Sequence, residues 1–102
     1  MDKKVLVADL VSEGQQLIEA LQRNRFPIVG TRWCFFSEPM EWRLVIASPA
    51  VDSAGPLAAY TRVQRVLAGI QPAQLALSDI ALISPVSREY EEMLSGASRT
   101  AG

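Results

Sequence analysis

A small two-layer α+β domain, with helices over one face of a three-stranded sheet, is the fold class the chain predicts, and three observations carry it. Apolar residues recur at three-and-four spacing before residue 24. The period drops to two between Ile28 and Ala47. A second helical pattern then leads into a short, almost wholly apolar run at residues 79–84 (DIALIS). The resulting order is αββαβα, built on a central β-hairpin.

Over residues 3–24, Val5 or Leu6, Leu10, Val11, Gly14, Leu17, Ile18 and Leu21 fall on one helix face. Asp2 can cap this helix, but Lys3 and Lys4 oppose the positive end of its dipole. An alternative therefore stays open, in which residues 3–8 form a strand and the helix starts at Ser12. The order would then be βαββαβ, the ferredoxin-like topology. Gly14, which costs about 1 kcal/mol relative to alanine inside a helix, marks either that boundary or a close packing contact. Asn24 and Pro27 end the helix.

The hairpin occupies residues 28–47 and turns through Ser37, Glu38, Pro39 and Met40. Pairing Phe36 with Glu41 sets Phe35 opposite Trp42, Trp33 opposite Leu44 and Thr31 opposite Ile46, so that the bulky apolar groups share one face. A one-residue slip would place Arg43 beside Phe35, and the pattern selects against it. The aromatic face is the one the helices are expected to cover. Arg32, Cys34, Phe36, Arg43 and Val45 are left on the other.

Pro49 closes the hairpin, and residues 48–56 form a loop to a helix capped by Ser53 or Asp52, with Pro56 in its first turn. That helix, residues 56–68, turns Ala59, Tyr60, Val63, Val66, Leu67 and Ile70 inward and Arg62, Gln64 and Arg65 outward, with Gly69 as its C-cap. Residues 71–78 connect it, with a helical turn around 73–76, to a strand at 79–84 that reads as buried on both faces or lying inside the sheet. Ser84 and Pro85 start a last short helix carrying Val86, Tyr90, Met93 and Leu94 on one side. Residues 1–95 make one domain, and 96–102 (GASRTAG) a flexible C-terminal tail.

The chain has 102 residues, 49% of them hydrophobic and 21% charged, with a net charge of -1, one cysteine and no histidine. One domain with a modest core fits that length. Without histidine the commonest general base and transition-metal ligand are missing, which removes Ser-His-Asp, Cys-His and HExxH chemistry. A single cysteine makes neither an internal disulfide nor a thiolate zinc site. The glycines form no phosphate loop. No apolar run reaches the roughly 18 to 20 residues that span a bilayer, and no signal-peptide pattern opens the chain; the expectation is a soluble cytoplasmic protein with no membrane association.

No catalytic, cofactor-binding or metal-binding residue is assigned. Glu41-Trp42-Arg43 is the nearest approach to a magnesium-dependent nuclease motif, but it lacks the lysine. Asp52 and Asp79 read as a helix cap and a strand-edge residue. The candidate interaction patch is Arg32, Cys34, Phe36 and Arg43, on the outer face of the hairpin. The functional expectation is a non-enzymatic protein-protein interaction or regulatory module that forms a homodimer, through this patch or through a strand edge. One alternative is a small-molecule pocket or weak enzyme using Cys34, Tyr60 and Trp33, with Arg32 and Arg43 lowering the thiol pKa. Another is single-stranded nucleic-acid binding by Arg23, Arg25, Arg32 and Arg43 among Phe26, Trp33, Phe36 and Trp42, which the near-neutral charge argues against.

Overall fold

A computed structural model of the chain describes residues 8–36 and 41–94. In order these form α1 (Ala8–Arg23), β1 (Gly30–Phe36), β2 (Glu41–Ala47), α2 (Ala50–Ser53), α3 (Pro56–Ile70), a 3-10 turn (Leu77–Asp79), β3 (Ile80–Ile83) and α4 (Arg88–Leu94). The architecture is the expected α+β domain. Residues 1–7, 37–40 and 95–102, which include the expected hairpin turn and tail, lie outside the described residues.

The sheet has the order β1-β2-β3. β1 and β2 pair antiparallel in the expected register, from Gly30 opposite Ala47 to Phe36 opposite Glu41 without an interruption. β2 and β3 run parallel, with Leu44 opposite Ile80 and Ala47 opposite Ile83. The ladder gains one more rung where the Ser48 N–H donates to Ile83 O at 3.0 Å. A ferredoxin-like sheet would hold its first strand between this parallel pair. Here β2 and β3 are hydrogen-bonded directly, and Ala8 is already helical, so that alternative is overturned.

Leu10, Leu17, Ile18 and Leu21 of α1 are buried as their spacing requires, together with Leu44 and Ile46 of β2, Ala59, Val63 and Leu67 of α3, and Ile80 of β3. Val11, expected on the same face, is 39% exposed at its margin. Gly14 resolves as a packing contact. A Cβ at that position would lie 2.9 Å from Trp33 Cζ2 and 3.2 Å from Leu44 Cδ2, so the missing side chain is what lets α1 approach the sheet. α1 and α3 run antiparallel across this face: Glu13 meets the segment just after α3, while Phe26, just after α1, lies beneath Arg62 of α3.

Several local expectations are corrected. α3 begins after Gly55 at φ 91°, not after a Ser53 or Asp52 cap, and it runs past Gly69 to close on Gln71, whose N–H donates to Leu67 O at φ 49°. The helical turn expected at 73–76 falls instead at Leu77–Asp79. β3 is an edge strand in which only Ile80 is fully buried. Asp52 sits in α2, where its carboxylate accepts the Ser84 hydroxyl at 2.8 Å. α4 is capped by Ser87, whose Oγ accepts the Tyr90 N–H at 3.2 Å; Val86 is 83% exposed, and the side chains of residues 93 and 94 lie outside the described set.

Candidate functional site

Strand alternation brings Arg32, Cys34 and Phe36 of β1 to the face of the sheet opposite the helices. Cross-strand pairing sets Arg32 against Val45, Cys34 against Arg43, and Phe36 against Glu41. The four expected patch residues therefore share one surface, but they differ in what they present to solvent. Arg32 is exposed. Cys34 is only 5% exposed, with Val45 equally buried beside it.

Arg43 is held from two directions. Its Nε and Nη2 lie 3.0 Å from Glu41 Oε2, and its guanidinium sits 5.2 Å from the centroid of the Phe36 ring. This arrangement spends the charge of Glu41 on Arg43 and leaves the nuclease-like Glu41-Trp42-Arg43 triplet as an ion pair. No group of three or more metal-ligating side chains occurs among the described residues.

Burial raises the pKa of the Cys34 thiol, and the nearby Arg32 charge only partly offsets it. The expected activation of the thiol by Arg32 and Arg43 is thus reversed. Thiolate is the nucleophilic form, so Cys34 is a poorer nucleophile than a solvated cysteine.

The side chains proposed for a small-molecule pocket do not converge. Trp33 packs under α1 on the inner face, next to Cys34 in sequence but on the other side of the sheet. The Tyr60 hydroxyl reaches β3, where it accepts the Leu82 N–H at 2.9 Å. The arginine and aromatic set divides in the same way. Arg23 and Arg25 lie at the end of α1, Phe26 is 2% exposed with Arg62 stacked 4.9 Å from its ring centroid, and Arg32 and Arg43 lie across the sheet.

Phe35 and Trp42 were expected in the core. They form an edge-to-face pair, with centroids 5.5 Å apart and planes at 64°, but both remain half-buried outside the core cluster. The physical reason is their place along the strands: they stand two rungs beyond Trp33 and Leu44, toward the Phe36 and Glu41 end of the ladder, past the Gly14 contact with α1.

The two sheet edges are unequal. On the β3 side, Tyr60 occupies a backbone donor. On the β1 side, among the described residues, no further strand pairs. Comparison of the chain with protein-family models, curated proteins and solved structures gave no match.

Proposed function

We propose that the chain is a non-enzymatic interaction module that associates with a second copy of itself along the edge of β1. The carrying observation is the character of that edge. β1 is seven residues long and paired one-to-one with β2, so it has no bulge, and its sequence GTRWCFF contains no proline or lysine and one charge. Edge strands of monomers usually carry such devices to prevent pairing. An antiparallel β1-β1 contact would join two sheets about a two-fold axis, the commonest closed symmetry. The outer patch supports the same reading, since Arg32, Phe36 and the Arg43-Glu41 pair would flank the seam.

Light scattering after size exclusion at micromolar concentration tests this. The expected mass is twice that of the chain. Thr31→Lys places a charge on an exposed position of β1 and should return a folded monomer. A monomeric wild-type protein would overturn the proposal, as would a dimer indifferent to Thr31→Lys.

A further inference from the structure

A cleft of about 280 Å³ opens between the last turn of α1 and the C-terminal half of α3. Its lining combines small or apolar groups, Ala20, Val66, Gly69 and Ile70, with the polar side chains of Arg23, Asn24 and Arg65. Neither Arg23 nor Arg65 has an ion-pair or hydrogen-bond partner among the described residues. Their charges are not consumed by helix capping either. The Ala20 carbonyl accepts both the Asn24 N–H at 3.0 Å and Asn24 Nδ2 at 2.7 Å, the Leu21 carbonyl accepts the Phe26 N–H, and the Leu67 carbonyl accepts the Gln71 N–H. Glu19, one turn before Arg23, accepts a hydrogen bond from Gln15, a further turn toward the start of α1. Arg62, stacked on Phe26 close to Arg25, adds further positive charge beside the site.

The geometry points to a binding site for a small phosphate monoester, held by Arg23 and Arg65, with its organic body on the apolar lining. The match is one of charge and size. A phosphate monoester carries roughly -1.5 to -2 at neutral pH, which two guanidiniums neutralise, whereas a carboxylate would satisfy only one. The cleft lies just below the roughly 300 to 1,000 Å³ range of ligand pockets, which favours a compact ligand. Nothing lies within 4 Å of a Cβ added at Gly69, so the cleft has room there for a ligand.

Phenyl phosphate is a suitable probe, followed by amide chemical shifts on the intact chain with phenol and inorganic phosphate as controls. Saturable shifts confined to Ala20, Asn24, Gly69 and their neighbours are expected, with phosphate weaker and phenol silent. Arg23→Gln combined with Arg65→Gln removes both charged contacts and should weaken binding by at least about tenfold. Gly69→Leu offers an independent check. It adds a helix-favouring side chain in open space, so the fold should be kept or stabilised while the ligand is displaced. The assignment is overturned if no shifts occur at millimolar probe, if they spread evenly over all arginines, or if either variant binds like the wild type. Tighter, steeply salt-dependent capture of a single-stranded oligonucleotide at these residues would likewise replace it with a different ligand class.

Discussion

Arg25 shows how a single backbone angle is set by its surroundings. At φ 61° it occupies the left-handed region, and its N–H donates to Gln22 O while the Phe26 N–H reaches back to Leu21 O. These two bonds, five and three residues back, close α1 in a Schellman motif, with buried Leu21 and Phe26 supplying its apolar contact. Glycine usually fills that position because a side chain there costs about 1 kcal/mol or more. Arg25→Gly should therefore stabilise the chain by about 1 kcal/mol, raising Tm by roughly 4 to 8 °C for a domain of this size. An unchanged or lowered Tm in calorimetry would contradict the strain. The stop at Asn24 and Pro27 is legible in the sequence, but the left-handed residue is not, because an arginine gives no sign of it. The same blindness moves the end of α3 to Gly69, when Gln71 at φ 49° takes the role.

At the level of elements, the hairpin register was readable because a slip by one residue exchanges the two faces, and only one register unites Trp33, Leu44 and Ile46. Which aromatic groups are covered was less readable, since coverage depends on where α1 crosses. Gly14 fixes that crossing over Trp33 and Leu44, and leaves Phe35 and Trp42 outside the core cluster. β3 was misread as an inner strand for a related reason. A short apolar run reports burial of side chains, but not whether another strand pairs with it or, as here, it forms an edge with one backbone N–H taken by a tyrosine hydroxyl. The crossing gives a sharp test. Gly14→Ala gains about 1 kcal/mol of helix propensity, yet it drives a methyl group to 2.9 Å from the Trp33 indole, and overpacking costs about 1 to 3 kcal/mol. A net loss of about 1 kcal/mol in urea unfolding is expected, accompanied by a shift in tryptophan emission. Stabilisation with unchanged emission would show that α1 does not need the close approach.

Across the whole molecule, one carboxylate joins segments that the sequence keeps about sixty residues apart. Glu13 accepts the backbone N–H groups of Ala73, Gln74 and Leu75 at 2.9, 2.9 and 2.8 Å, fastening the segment after α3 to α1 and fixing where the 3-10 turn and β3 begin. No local pattern could reveal this, because the donors are main-chain groups whose side chains carry no signal. Burial pushes the Glu13 pKa up, but the three N–H groups outweigh it and leave the carboxyl below its ordinary value. A depressed carboxyl stabilises the folded state fully above its unfolded pKa of about 4.3, and the contribution is lost as the pH falls through the lower folded value. Glu13→Gln keeps an acceptor oxygen without the charge. Because the carboxylate remains partly solvated, the variant should lose only about 1 kcal/mol at pH 7. The gap between the two proteins should start to narrow below about pH 4.3 and close once the pH has fallen through the lower folded pKa, where the wild-type side chain is also neutral. Urea unfolding of both proteins at neutral and acid pH measures the difference. A gap that stays constant across that range would mean the Glu13 charge does not hold the segment in place.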